Sequence, residues 1–358
     1  MMYEYWLASI TAVSGRKKRL LREEYGTGKA VYYIEEIQLR FLEYLEDKDV
    51  EAILYARKKQ VEQEWEELSK KKICFVPYFS ERYPARLRQV DDAPYALYVK
   101  GCLPEEDSVS AAIVGARKCT PYGEEMALEY GEYLASNGIQ VISGMARGID
   151  GAGQRGALNG GGMTYGVLGC GADVCYPREH IGLYMDIQEK GGILSEQPPG
   201  CPPLPMYFPL RNRIISGLAD VILVMEARER SGSLITADMA LEQGKDVYAL
   251  PGPVTSQLSR GCHRLIRQGA GILISPEDLL VEMGISEKES IQKSDKIEKT
   301  LENEENVVYS CLGFFPKGIS QLIEETGLRA SELLQRLIAL ELKGCIREVS
   351  KNYYIKVR

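Results

Sequence analysis

Val141-Ile142-Ser143-Gly144-Met145-Ala146-Arg147-Gly148-Ile149-Asp150 is the stretch on which the fold turns. A short apolar strand runs directly into a loop of small residues carrying one arginine, and a helical segment follows. Glycine lets a backbone approach an anion closely, and the free amides at a helix start point at it. The same layout recurs on either side. Candidate parallel strands fall at 111–114, 140–142, 164–168, 192–194, 220–224, 246–250 and 271–274, with helices between them, for example 123–136 and 236–243. Continuous Val/Ile/Leu runs separated by helices predict an α/β fold, a doubly wound and mostly parallel sheet covered on both faces. Gly138 and Gly244 stand where helix C-caps are expected.

Around this centre the composition changes. Residues 1–70 are rich in Leu, Glu, Lys, Arg and Tyr at helical spacing, which predicts a small helical domain broken once at Gly26 and Gly28. The α/β region is expected over 71–285. Residues 286–306 are almost all charged or amide-bearing and read as a solvated linker. From 307 to 358 a helix, the segment 318–325, a turn at Thr326-Gly327, a helix at 330–342 and strands at 345–349 and 353–357 predict a winged helix. Its second helix carries Arg329 and Arg336 but also Glu332 and Glu341, so protein docking or a purely structural role stays open beside DNA reading.

The 358 residues are 45% hydrophobic and 27% charged, an ordinary globular balance. Residues 1–13 are interrupted by Glu4 and followed by Lys17-Lys18-Arg19, the wrong order for a signal peptide, and no apolar run is long enough for a bilayer. Nine scattered cysteines without a Cys-x-x-Cys pair point to a reducing cytoplasm, and only His180 and His263 are present, so no metal centre is expected. The net charge of −7 argues against wholesale coating of nucleic acid. A local arginine-lined groove remains compatible with it.

Five strand-to-loop junctions carry the candidate chemistry. The first is Gly115-Ala116-Arg117-Lys118, with Arg117 and Lys118 at the sheet rim. The second is Ser143 to Asp150, including Gly144, Arg147 and Gly148; Asp150 is expected to cap the next helix or fix Arg147. In the third, Gly169-Cys170-Gly171 leads to Tyr176-Pro177-Arg178. The fourth is Pro203-Leu204-Pro205-Met206-Tyr207-Phe208-Pro209-Leu210-Arg211-Asn212-Arg213. There an aromatic beside two arginines suits a single strand, since bases stack on the ring while guanidiniums take phosphates; a core role for Phe208 weighs equally. The fifth is Ser231-Gly232-Ser233 before Thr236, an anion nest or simply a cap. All five are predicted at one edge of one sheet, where open α/β folds bind ligands. Neither a Gly-x-Gly-x-x-Gly fingerprint nor a phosphate loop is present. The competing enzyme reading, cleavage of a nucleotide N-glycosidic bond, needs a positioned carboxylate. Asp150 and Glu196 are the only acids near the right loops, they form no convincing pair, and no catalytic residue or cofactor is expected.

Several motifs together resemble one family: Tyr83-Pro84-Ala85-Arg86-Leu87, Pro94-Tyr95-Ala96-Leu97-Tyr98-Val99-Lys100-Gly101, Val114-Gly115-Ala116-Arg117, residues 143–150, Tyr176-Pro177-Arg178-Glu179, residues 208–213 and Ser231-Gly232-Ser233-Leu234-Ile235-Thr236-Ala237. They are similar to the DNA processing protein A (DprA/Smf) family over about residues 73–280. The helical start resembles that family's sterile-alpha-motif-like domain and the end its winged helix. The resemblance implies an extended Rossmann-like domain that binds single-stranded DNA in a positive pocket. It further implies a homodimer, and protection of incoming DNA with loading of the RecA recombinase during natural transformation. By motif position Arg117 and Arg178 would contact phosphates, Phe208 would stack, and Arg211 and Arg213 would line the same pocket. His180 and His263 stand where the family usually has asparagine.

Overall fold

The computed structural model describes residues 1–285, 303–313 and 316–356. Six helices open the chain: α1 (Met2–Ser9), α2 (Gly15–Tyr25), α3 (Gly28–Tyr33), α4 (Glu36–Arg40), α5 (Asp47–Ala56) and α6 (Val61–Lys70). Ser14 and Thr27 cap α2 and α3 by accepting from Lys17 and Ala30 amides, and Gly26 takes φ +81° to end α2. These helices do not close a core of their own. One hydrophobic cluster runs from Trp6, Leu21 and Ile53 through Tyr5 into Phe75, Tyr98 and Ile193 of the α/β region. The Tyr5 ring lies 5.9 Å from Phe75 and 6.0 Å from Tyr98, both edge-on.

The chain continues through β1 (Cys74–Pro77), α7 (Ala85–Arg88), β2 (Ala96–Gly101), β3 (Ser110–Val114), α8 (Pro121–Ser136), β4 (Gln140–Ser143), α9 (Ile149–Asn159) and β5 (Thr164–Leu168). Next come α10 (Ile181–Lys190), β6 (Gly192–Ser195), α11 (Tyr207–Leu218), β7 (Val221–Val224) and α12 (Gly232–Glu242). The region ends with β8 (Asp246–Ala249), α13 (Arg260–Arg267), β9 (Gly271–Ile272) and α14 (Pro276–Glu282). The sheet order is β1-β2-β6-β5-β4-β3-β7-β8-β9. Every neighbour from β6 to β9 is parallel, while β1-β2 and β2-β6 are antiparallel. All seven predicted strands are present. β1 and β2 add an antiparallel end that alternation with helices could not announce, because no long helix separates them. β7 starts one residue later than predicted: the Asp220 carboxylate accepts from the Ser110 amide at 2.8 Å.

Both faces are covered. Ala127 and Leu134 of α8, Ile149 of α9 and Leu279 of α14 form one apolar layer. Leu87 of α7, Ile214 and Leu218 of α11, Leu234 and Ala237 of α12 and Leu265 of α13 form the other. Because β3 pairs with β4 on one side and β7 on the other, the chain winds both ways from β3. A crevice opens at that switch point, past the C-terminal strand ends.

After residues that lie outside the description come α15 (Asn303–Cys311), β10 (Lys317–Gly318), α16 (Ile319–Thr326), α17 (Ala330–Leu342), β11 (Ile346–Ser350) and β12 (Tyr353–Lys356). The small sheet runs β10-β12-β11 over a core of Val308, Leu322, Leu333, Leu337 and Ile346. Most of the predicted linker, 286–302, lies outside the described residues. Its last four positions are helix instead, since Glu305 is buried and takes Lys343 Nζ at 2.6 Å.

Candidate nucleic-acid interface

Five connections meet at the β3/β7 crevice and enclose a cavity of about 450 Å³. The first connection supplies Gly115 and Arg117. It is pinned from behind: buried Glu226, just after β7, accepts from the Thr120 amide at 2.8 Å and the Thr120 hydroxyl at 2.6 Å, and Thr120 caps α8. Glu226, its carboxyl pKa raised by burial, is a support that was not foreseen, since in sequence it is only an acid following a strand.

Asp150 of α9 holds the second connection. It neither caps the helix in the usual way nor touches Arg147. Its carboxylate accepts from the Gly144 amide at 3.1 Å and also from the amides of Ala146 and Gly115, tying two connections together. Burial raises its pKa, and the Arg211 guanidinium and the three amides oppose that rise. Arg211, on α11, is itself buried. Its Nη1 donates to the Gly144 carbonyl at 2.9 Å and to the Val167 carbonyl, its Nε is without a partner, and burial pushes its pKa down to about 10.

The fourth connection brings Phe208 into the cavity wall on the first turn of α11. Its ring is 5.5 Å from that of Tyr176, and the Arg117 guanidinium carbon lies 5.5 Å above the Phe208 centroid. The exposed arginine, the ring and a second aromatic therefore form one mouth, the arrangement in which a base stacks and a phosphate is held beside it. Opposite, Ser231 caps α12 by accepting from the Ser233 amide at 3.3 Å, and the two hydroxyls are 2.7 Å apart. Ser231, Gly232, Ser233 and Thr236 line that wall.

Not every expected residue reaches the cavity. Arg213 is turned away, because two positions along a helix differ by about 200°; with Arg211 toward Gly144 and Val167, Arg213 faces Glu196 and Asp92. Its Nη2 meets both Glu196 oxygens at 2.9 Å, its Nε donates to the Asp92 carbonyl at 2.7 Å, and the residue is 7% exposed. Ser143 is fully buried with its hydroxyl on the Ile113 carbonyl, and the Gly144 amide is taken by Asp150. These two lie beneath the cavity wall and cannot offer amides to a ligand. A Cβ on Gly144 would lie 2.4 Å from Arg211, which explains the glycine. Gly148 takes φ +70°, with its Cβ position 2.4 Å from the Ala116 carbonyl, so it packs the second connection against the first. Arg147 is paired with Glu179, and Lys118 and Arg178 are exposed outside the lining. Tyr176, Pro205 and Asn212 also line the wall; in sequence they were only members of their loops, with no role assigned. His180 Nδ1 faces the Met145 carbonyl at 3.1 Å and His263 Nε2 the Gly252 carbonyl at 2.9 Å, so each ring can donate to a main-chain oxygen as an asparagine amide would.

Among the described residues no cluster of three His, Cys, Asp or Glu side chains could hold a metal, and no helix is long and apolar enough to cross a membrane.

Comparison with known proteins shows the family. Residues 74–284 match the DNA recombination-mediator protein A family, and residues 292–350 match the DprA winged helix domain. Protein Smf of Escherichia coli is 40% identical over 286 residues, covering 78% of this chain and 76% of that protein. DNA processing protein DprA of Streptococcus pneumoniae is 43% identical over 200 residues, covering 56% of this chain and 71% of its own length. The crystal structure of the Streptococcus pneumoniae DprA superposes with a TM-score of 0.66 at 34% identity, covering 79% of this chain and 98% of that one. A Helicobacter pylori DNA processing protein A, whose structure is described for its single-stranded DNA binding mode, superposes at 0.54 with 28% identity, covering 60% of this chain and 97% of that one. The family is named for mediating DNA recombination and its curated members for DNA processing. Its recombination-mediator region and its winged helix both stand in this sequence, and the chain belongs to the DNA recombination-mediator protein A family.

Proposed function

We propose that this protein binds single-stranded DNA in the β3/β7 cavity, shields it, and passes it to the RecA recombinase in the cytoplasm during natural transformation. The observation that carries the reading is Arg117 poised over Phe208 at the mouth of the cavity. The Helicobacter pylori relative's single-stranded DNA binding supports it. Arg178 and Lys118, exposed beside the same rim, are the next phosphate contacts in this reading.

Oligo-dT is expected to bind at micromolar concentration or tighter and to be released progressively by salt, because neutralised phosphates release counterions. Arg117→Ala should weaken all sequences alike, since a phosphate contact carries no base information. Affinity that ignores salt, or that is equal for blunt duplex, would sink the reading. For the recombinase step, the protein should raise RecA strand-exchange yield on single strands already covered by a binding protein.

A homodimer is part of the proposal. β9 is an edge strand that leaves Ile272 at 46% and Ile274 just beyond it at 75% exposure, an apolar edge suited to a second copy. Light scattering should return twice the chain mass.

The nucleotide N-glycosidase reading loses its candidate bases. Asp150 is occupied by three amides, and Glu196 is held by Arg213. Free base released from a nucleoside monophosphate would restore it.

A further inference from the structure

We propose that Glu226 is the positioning residue of the cavity: from behind the β3–α8 loop it sets where Arg117 stands over Phe208. The proposal rests on the reading that the cavity takes single-stranded DNA, and adds which group makes its mouth rigid. The loop, residues 115–120, is clamped at each end by a buried carboxylate. Asp150 accepts from the Gly115 amide at the first end. Glu226 accepts from the amide and the hydroxyl of Thr120 at the other, at 2.8 and 2.6 Å. Between the clamps Arg117 and Lys118 are exposed. Among the described residues the Arg117 guanidinium meets no carboxylate or carbonyl, only the Phe208 ring. Its place is therefore fixed by the backbone of the loop and not by a partner of its own.

Glu226 is built as a fixed support. Its chain neighbours are tied down on either side, the Met225 amide to the Val114 carbonyl at 3.1 Å and the Ala227 amide to the Leu258 carbonyl at 2.7 Å. The first turn of α8 makes room for the carboxylate, since a Cβ on Gly123 would lie 2.5 Å from its carboxyl carbon. Thr120, once held, passes the constraint on by accepting from the Gly123 amide at 3.1 Å. A carboxylate beside a helix start is favoured by the free amides there. In the other direction Glu226 leads into the connection that carries Ser231 and Ser233, so one residue holds the Arg117 wall and begins the wall opposite. A loop already ordered before DNA arrives loses less freedom on binding, and the affinity is higher for it.

The test is a double-mutant cycle on the full chain, with oligo-dT binding read by fluorescence anisotropy at several salt concentrations. Glu226→Gln, Thr120→Val and Thr120→Ser are each measured alone and combined with Arg117→Ala. Glu226→Gln removes a negative charge near a site for a polyanion, which by charge alone would tighten binding. Positioning has the opposite sign. Glu226→Gln and Thr120→Val should each bind about tenfold more weakly, the order expected when one or two residues must be ordered on binding. Thr120→Ser, which keeps the hydroxyl, should rescue the affinity. In both weakened variants the slope of log affinity against log salt should fall by about 0.7, the share of one phosphate contact, as in Arg117→Ala. Combined with Arg117→Ala, neither should weaken binding further. A further loss in that background overturns the proposal, because Glu226 would then act elsewhere in the cavity. Unchanged or tighter binding by both variants overturns it as well. If Glu226→Gln fails to fold, the Thr120→Val and Thr120→Ser pair carries the same cycle. A wild type that binds no oligo-dT removes the cavity reading, and the proposal with it, a result distinct from all of these.

Discussion

At the residue scale, Arg213 and Arg211 show how one helix divides its labour. Arg211 braces the cavity floor through the Gly144 and Val167 carbonyls, whereas Arg213 bolts the middle of α11 to Glu196 and Asp92. Removing the Arg213 guanidinium strands a largely covered carboxylate. Arg213→Ala should therefore cost about 2–4 kcal/mol of stability, less than for a fully buried pair because Glu196 keeps some solvent. Arg213→Lys should recover only part of that, since an ammonium cannot reproduce the two-pronged contact. Urea melts would check both; a change under 1 kcal/mol in the alanine variant would contradict the bolt. Phe208→Ala should weaken a single strand by about 1–3 kcal/mol through lost stacking while leaving the salt slope unchanged, as titrations at several salt concentrations would reveal. From sequence Phe208 stood evenly between a core anchor and a stacking residue; the structure puts it in the cavity lining. The outward turn of Arg213 was legible in principle from helix geometry, but only once 207–218 is known to be helix throughout, and its prolines obscure that.

At the element scale, α2 is the joint between the N-terminal helices and the sheet. Arg19 reaches the Asp91 carbonyl at 2.7 Å and the Ala93 carbonyl, Arg22 pairs with Glu4, and the Glu4 carboxylate also accepts from Tyr95. Lys18 is buried there, its Nζ donating to the Ala8 carbonyl at 2.8 Å, and burial lowers its pKa from 10.5 to about 8. A depressed amine makes the unfolded chain bind more protons between those two values, so this group adds stability as pH rises from about 8 towards 10.5 and withholds it below 8. The full span is worth up to about 3 kcal/mol. Lys18→Met should remove that slope: the stability gap between wild type and variant should shift towards the wild type over this window. A gap constant with pH would show that Lys18 is not the responsible group. The joint was invisible in sequence, because nothing in the spacing of α2 says that Lys18 is buried on the Ala8 carbonyl or that Arg19 reaches across to Asp91 and Ala93 rather than into water.

At the scale of the whole molecule, the first seventy residues and the sheet's antiparallel end share one core. A chain beginning at residue 71 would bare Phe75 and Tyr98, which are buried in the intact protein. It should melt earlier and bind the hydrophobic dye ANS, and a truncated protein as stable as the full one would refute the shared core. The parallel sheet itself could be read from alternation alone, since strands buried on both faces must be apolar throughout. Its antiparallel end could not be, because β2 and β6 are neighbours across about ninety residues of intervening chain and their pairing has no local signature.

That distance has a further consequence during synthesis. The helices α1 to α6 leave the ribosome before the sheet, with Tyr5 facing a surface that does not yet exist. β2 follows soon, but Ile193 of β6 arrives only after β3, β4 and β5 have been made. At a synthesis rate of about 5–20 residues per second, the gap between the first helix and its last packing partner is on the order of ten seconds or more. The nascent protein thus spends that interval with the Ile193 side of this shared core uncovered, apolar surface of the kind that invites association before the sheet is complete.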